Sequence, residues 1–445
     1  MRGTTMTPFQ LVKDRITVFL GCAAFVWLSA SAVASAGDWP QWGGPRRTFK
    51  ADCKNLASKW PEDGPRKLWD IELGDGYSAI IRDGDTLFTM YSVRKQIGEQ
   101  KWEAEGQEAV VALDAATGAK KWEFKYDAPW EKDMNMEFGP GPHSTPLVVG
   151  DRLFAVGCTC KLHCLDKTSG KVLWSKDLHK EFEASTLGRG YGASPLAYKD
   201  TIILPVGGEG RGVIALRQSD GGVVWKNQNS SGTYASPMLV TIDGVEQIIT
   251  FADNGVSGLN PGDGSLLWNA PHKTQYDANI STPVLCRDNI VFCSSAYGNG
   301  ARGIEVKKEG DAWTARELWY NPKMKIHHGN AVSIGRHVYG SSGDFGPAFF
   351  ASVDIRTGEF GFKKRGFSKA TCVYADKKLI ILDEDGNLAL AKVSPKKLKV
   401  LSKAQVCRKI AWTVPTLVDG VLYLRDRHRV LALDISEGAE QAALR

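Results

Sequence analysis

Four sulfur or imidazole side chains fall within seven residues in Cys158-x-Cys160-x-x-His163-Cys164. That set is soft enough to hold a transition metal and reactive enough to oxidise. The apolar alternation around it predicts a β-hairpin, in which four such side chains do not converge on one point. Buried thiols, a metal, and a disulfide from Cys158 to Cys164 across the turn all remain open. His327-His328 is a second group of ligand type. Neighbours on a strand face opposite ways, so the two cannot share an ion. A hydrogen-bonded pair is expected there, and no metal site. Asp383-Glu384-Asp385-Gly386-Asn387 has acidic spacing like a Ca²⁺ loop, but no bidentate Glu follows at the right offset, and it reads as an Asp-Gly hairpin turn. A Gly-rich phosphate loop, a nucleophile elbow and an H-E-x-x-H helix are all missing from the sequence. No catalytic residue is assigned.

The elements that must carry these residues repeat. Val110–Phe124 reads VVALDAATGAKKWEF, and close copies stand at Leu162–Trp174, Val213–Trp225 and Val256–Trp268. Counting from the residue after the Leu (Asp114, Asp166, Arg217, Asn260), a Gly stands four residues on and a Trp eight on: Gly118 and Trp122, Gly170 and Trp174, Gly221 and Trp225, Gly264 and Trp268. Asp354, Gly358 and Phe362 fit the same ruler, and Asp434 and Gly438 half fit. A polar side chain caps the turn, the Gly supplies a positive φ, and the next strand carries an aromatic. One such hairpin cannot bury its own face, so units must stack. Trp69, Trp122, Trp174, Trp225, Trp268, Trp319 and Phe362 are the expected wedges between neighbouring units.

A second motif precedes each hairpin, as in His143-Ser144-Thr145-Pro146, Tyr191 to Pro195, Tyr234 to Pro237 and Ile280 to Pro283. Weaker copies begin near Tyr77, Asn330, Lys369 and Trp412. Most starts lie about 40 to 50 residues apart, the period of a four-stranded propeller blade. The expected fold is all-β: an eight-bladed β-propeller of four-stranded antiparallel blades, with seven blades as the alternative. Lys67 to Ile71 resembles an outer strand with no unit before it, and the last unit lacks one, so pairing the two would close the ring. The longest interval holds two insertions, Ser92 to Gln107 and Asp127 to Pro142, and insertions of this kind often carry function. Residues just before each innermost strand rim the channel. His143, Arg189, Tyr191, Tyr234, Asn279, His328, Asn330, Lys369 and Trp412 are therefore the candidate ligand-binding residues, with Asp277 nearby. Their aromatic and amide groups suit a flat or sugar-like ligand.

Arg2, Lys13 and Arg15 precede the apolar run Ile16 to Leu28, and Ala34-Ser35-Ala36 follows. This is the layout of an export signal occupying residues 1–36, leaving residues 37–445 as one propeller domain with no membrane span. A retained anchor is the alternative, as is acylation at Cys22. The net charge of +6 is spread along 445 residues rather than gathered in one arm, which does not suggest nucleic-acid binding.

The hairpin LD-x-x-T-G-x-x-x-W at residues 113–122 resembles the repeat of the pyrroloquinoline-quinone (PQQ)-like propellers, and the opening Asp38-Trp39-Pro40-Gln41-Trp42-Gly43-Gly44-Pro45 resembles the start of secreted members. The resemblance implies eight blades. That family includes quinone-dependent alcohol dehydrogenases and the propeller lipoprotein of the outer-membrane β-barrel assembly machinery. The dehydrogenases hold PQQ and Ca²⁺ in the channel and often carry adjacent, bridged cysteines. The nearest approach to such a pair in this chain is Cys158-Thr159-Cys160, and no loop matches the ligand or base segments. The expectation is an exported, periplasmic or extracellular, monomeric protein without a cofactor. It would be a non-catalytic binding or scaffold protein whose partner is another exported or envelope protein. The alternative is a dehydrogenase that uses PQQ with Ca²⁺ to oxidise an alcohol or sugar.

Overall fold

The turn at the centre of the repeat forms as its residues dictate. Asp114 Oδ1 accepts from the backbone N–H groups of Ala116 and Thr117 and from the Thr117 hydroxyl, and Gly118 follows at φ +73°. The computed structural model describes residues 37–130, 134–185, 187–344 and 348–439. The expected export signal lies outside them. Within one compact unit, Ala34–Arg445, the strands form eight four-stranded antiparallel sheets. The fold is therefore the eight-bladed ring, and the seven-bladed alternative is excluded.

Blade 1 comprises Ile81–Asp83, Thr86–Ser92, Gln107–Asp114 and Lys120–Asp127, from the innermost strand outward. Blades 2 to 7 begin with innermost strands at Leu147, Leu196, Met238, Val284, Ala331 and Thr371. Blade 8 takes three strands from the end of the chain, Thr416–Val418, Val421–Arg425 and Arg429–Asp434. Its fourth strand is Arg66–Glu72, which pairs antiparallel with Arg429–Asp434 and closes the ring. Arg425 reinforces this seam. Fully buried, it donates to the carbonyls of Ser78, Met90 and Gly74 and to the Thr89 hydroxyl of blade 1. Among the described residues the one α-helix is a single turn, Leu178–Phe182, and no helix is long and apolar enough to cross a membrane.

The repeat spacing has a contact-level cause. Trp69, Trp122, Trp174, Trp225 and Trp319 each donate the indole N–H to a turn carbonyl of the next blade: Ala115, Lys167, Gln218, Pro261 and Ile355, at 2.8 to 3.1 Å. Each ring lies against the turn glycine of that next blade. A Cβ on Gly170 would come within 2.5 Å of Trp122, and the same clash recurs with Trp69, Trp174, Trp225 and Trp319. The Gly and the Trp of the ruler are thus two sides of one inter-blade contact. Trp268 departs from this pattern and donates within its own blade to Gln247 Oε1 at 2.7 Å. The hairpin it faces is the long one, Ala301–Glu309 with Ala312–Asn321. The Phe362 ring has no N–H to give, and the Ser352 hydroxyl beside it, which accepts from the Phe362 backbone N–H, makes the equivalent bond to Pro395 O at 2.5 Å.

The Ser/Thr-Pro motif forms an inner belt. Ala79 N–H donates to Thr145 Oγ1, Thr145 N–H to Ser194 Oγ and Ser194 N–H to Ser236 Oγ, at 3.2, 3.0 and 2.9 Å. The proline that follows has no N–H to satisfy. The innermost strands run away from this belt, so their near ends define a mouth and their far ends a floor. Strand alternation puts both insertions of blade 1 on the mouth face, and the first forms a small hairpin, Gln96–Gly98 with Lys101–Trp102. The floor is crossed by the segment after Gly37. Trp39 bridges to Arg82, Pro40 O accepts from Val148, Arg47 donates to Ala197 O, Lys50 bridges to Tyr374, and Ala57 N–H donates to Ile435 O. The opening Trp-Pro-Gln-Trp motif is a plug held by several blades.

Candidate functional site

The residues that end the mouth loops meet around one cavity of about 760 Å³. His143, Arg189, Tyr234, His328, Lys369 and Trp412 line it, as expected of the channel rim. Tyr191, Asn279 and Asn330 do not. Asn279 is fully buried, with Nδ2 donating to Ala252 O at 2.7 Å and Oδ1 accepting from Ser295 Oγ at 2.5 Å. Asn330 exchanges two 2.8 Å bonds with the backbone of Cys372 and so ties blade 6 to blade 7. A carboxamide carries the donor and acceptor of a peptide group, and both amides are consumed in the scaffold. Tyr191 turns into the apolar core shared by blades 2 and 3. Asp277 is exposed and lies outside the lining.

The lining also includes Tyr77, Phe138, Tyr276, Tyr297 and His327, with Trp42 rising from the plug to donate to Thr282 Oγ1 at 3.0 Å. Tyr77 marks a unit start and carries the same signal as His143. Phe138 comes from an insertion, where the repeat supplies no ruler. These rings form a collar. Tyr77 stacks between His143 (5.6 Å, 22°) and Trp412 (5.5 Å, 24°). Contacts continue from Trp412 to His328 at 4.1 Å, His328 to His327 at 4.7 Å, His327 to Tyr297 at 5.0 Å and Tyr297 to Tyr276 at 5.5 Å. The second insertion bends over the collar. Tyr77 OH donates to Phe138 O, Arg189 lies over the Phe138 ring at 4.9 Å, and Arg189 N–H donates to the Tyr234 hydroxyl at 2.9 Å.

The charges of the wall are matched in place. Arg189 pairs with Glu137 at 3.2 Å, Lys369 with Glu384 at 3.6 Å, and Asp344 accepts from Tyr297 N–H at 3.1 Å and faces Lys325 at 4.0 Å. His327 and His328 lie in a loop, so strand alternation does not separate them. Their Nδ1 atoms are 2.6 Å apart, and His327 Nε2 is 2.9 Å from the Tyr297 hydroxyl. Burial pushes His143 and His327 down to about 4 and His328 well below its ordinary value, so all three are neutral at pH 7. Burial likewise raises Tyr234 to about 12.

The Ca²⁺ of the dehydrogenases is not a fit for this wall. Ca²⁺ takes six to eight oxygen ligands. Among the described residues the carboxylates lining the cavity are Glu137, engaged with Arg189, and Asp344. Among the described residues no three His, Cys, Asp or Glu side chains gather as a metal site. Asp383 caps its own turn, accepting from the Asp385 and Asn387 N–H groups. Cys158 and Cys164 are separate thiols rather than a disulfide. Cys164 lies on a strand opposite Phe154, whereas Cys158 sits in the preceding turn against Gly141. The hairpin register sends the two side chains to different neighbours.

Residues 106–364 match the family described as outer membrane protein assembly factor BamB. Two curated proteins of that name are similar to this chain. The one from Yersinia pestis is 24% identical over 286 residues, 59% of this chain and 64% of that protein. The one from Shewanella oneidensis is 24% identical over 263 residues, 55% of this chain and 62% of that protein. The chain thus spans somewhat under two thirds of these relatives. The crystal structure of BamB from Moraxella catarrhalis superimposes with a TM-score of 0.54 at 16% identity, covering 82% of this chain and 96% of that one, a likeness that speaks to fold.

Proposed function

We propose, for a chain that belongs to the outer membrane protein assembly factor BamB family, that it is an exported, non-catalytic binding or scaffold protein holding a partner at the mouth of its ring. The observation that carries this reading is the placement of the blade 1 insertions. Both stand on the mouth face, one as a separate hairpin and one bent over the cavity. The hairpin exposes Val93 and Ile97, apolar groups that a partner could cover. The floor is plugged, so the mouth is the accessible end of the channel. Residues 1–36 act as the export signal in this reading, and the mature chain works as a monomer in the periplasm or outside the cell. Its partner is another envelope protein, in keeping with the assembly role that the relatives' name records.

The test replaces residues 93–106 with a short turn and compares cross-linking in the native envelope. A discrete partner captured by the wild type and lost from the shortened protein, with an unchanged melting curve, supports the reading. Equal capture by both removes the mouth face as the docking surface. Dye-linked alcohol oxidation after addition of PQQ and Ca²⁺ would overturn the non-catalytic assignment.

A further inference from the structure

The cavity under the mouth loops has a chemistry more specific than a rim. It is blind, because Trp42 and the plug close its lower end. Its volume of about 760 Å³ sits within the range of roughly 300–1,000 Å³ that small-molecule sites occupy. Among the described residues the lining cations already face anions, Arg189 with Glu137 and Lys369 with Glu384 just behind the lining, so an anionic ligand meets no free cation there. What remains unmatched is hydrogen-bonding capacity of both kinds. His143 Nε2, His328 Nε2 and Asp344 Oδ1 are buried polar atoms without a protein partner. Tyr234 Oη, Ser194 Oγ and Ser236 Oγ each accept from a backbone N–H, which leaves their own protons to offer. The His327–His328 pair couples two of these roles, because the direction of the Tyr297–His327–His328 hydrogen bonds decides whether His328 Nε2 gives or accepts. With Tyr297 OH donating to His327 Nε2, His328 Nε2 carries a proton and donates; with the chain reversed it accepts. Asp344 Oδ1 is an acceptor. Tyr276, 61% exposed at the lip and edge-on to Tyr297, offers an open aromatic face.

From this combination we infer that the cavity binds a neutral saccharide. A sugar ring presents an apolar face to an aromatic side chain, and its hydroxyls both give and accept hydrogen bonds. A charged ligand would leave the wall's internal ion pairs competing with it, and a purely apolar one would leave the buried polar atoms unpaired. This inference rests on the mouth being the binding end and adds the class of ligand that enters it.

The mature full-length protein is titrated with chitotriose, cellotriose and maltotriose, and with trigalacturonate and PQQ as anionic probes. Indole fluorescence reports on Trp42 and Trp412, and calorimetry measures affinity. The expected result is saturable binding of at least one neutral trisaccharide, unchanged between about 50 and about 500 mM salt because no ionic contact is screened. Tyr276→Ala, a substitution at an exposed position that leaves folding intact, should weaken it about three- to tenfold, as should Asp344→Asn, each lost contact being worth about one hydrogen bond. No response to any neutral probe at concentrations up to about 10 mM, or tighter and salt-dependent binding of an anionic probe, overturns the inference. The protein with residues 93–106 shortened separates the two readings. Saccharide binding retained while partner capture is lost supports both. Saccharide binding with no partner in the wild type removes the scaffold alone, and a partner without any saccharide response removes the ligand class alone.

Discussion

Alanine at Gly170 and at Gly150 separates two demands that the ring makes on glycine. Both residues lie in blade 2 with left-handed backbone, at φ +71° and +59°. A Cβ on Gly150 meets nothing within 4 Å, so Gly150→Ala should cost the backbone penalty alone, about 1–2 kcal/mol. A Cβ on Gly170 would stand 2.5 Å from Trp122 Cε3 and 2.7 Å from Cδ2. Trp122 cannot retreat without stretching its 3.0 Å bond to Lys167 O in the same turn. Overpacking adds about 1–3 kcal/mol and the weakened bond about 0.5–1.5 kcal/mol. The expected loss for Gly170→Ala is therefore roughly 3–6 kcal/mol. Urea unfolding followed by indole fluorescence, fitted with a common slope, measures both variants. Pairing Gly170→Ala with Trp122→Leu removes the ring that clashes, so the double variant should be more stable than the sum of the singles by about 1–3 kcal/mol. Equal destabilisation at Gly150 and Gly170, or strict additivity of the pair, would refute the account of the ruler as one inter-blade contact.

Three further outcomes follow from the same geometry. Arg425→Leu leaves the carbonyls of Ser78, Met90 and Gly74 unpaired at the seam and should cost about 1–3 kcal/mol for each acceptor that stays buried, with hydrogen exchange in residues 66–72 speeding more than in blades 3 to 5; unchanged protection there would count against the seam. Burial holds His143, His163 and His327 at about 4 and His272 at about 3, whereas in the unfolded chain they titrate near about 6.5. Between those values the unfolded chain binds more protons, so stability should be full above about pH 6.5 and fall steadily as pH drops toward about 4; a flat urea midpoint from pH 7 to 5 would contradict this. Burial raises the thiols of Cys286, Cys293 and Cys372 to about 12, and among the described cysteines Cys53 is the half-exposed one. Alkylation of the folded protein near pH 8 should reach Cys53 first, and Cys158 and Cys164 should show no mass change on reduction.

What could be read in advance was whatever repeats. The blade starts, the turn glycines and the wedge tryptophans each recur at a fixed offset because one inter-blade contact is made many times, and Trp69 without a unit of its own already pointed to the closing strand. The misreadings arose where a residue answers to a partner the repeat does not name. Asn279 and Asn330 occupy rim positions by spacing, but neighbouring backbone groups needed their amides. His327 and His328 do form the hydrogen-bonded pair expected of them, but in a loop, where strand alternation is not the reason. Cys158 and Cys164 are close in sequence, but the hairpin register sends one to the turn and the other to the core. Phe138 and Glu137 had no spacing to be read from at all, since they belong to an insertion.

That division locates function in the departures from the repeat. The repeating contacts are spent on holding eight sheets around an axis, and Trp122, Trp174 and Trp225 face neighbouring blades rather than a ligand. The non-repeating segments do the rest. Residues 38–60 seal one end of the channel, the second blade 1 insertion narrows the other, and the belt hydroxyls between them are held by backbone N–H groups of adjoining blades. A change in the plug should therefore be felt at the mouth. Trp42→Ala removes the indole that meets Thr282 in the cavity while leaving the Trp39, Pro40 and Lys50 contacts to blades 1, 2 and 7. The cavity should then deepen toward the plug in a ring that still closes, so that a trisaccharide bound as proposed dissociates faster in stopped-flow fluorescence at little cost to the melting temperature.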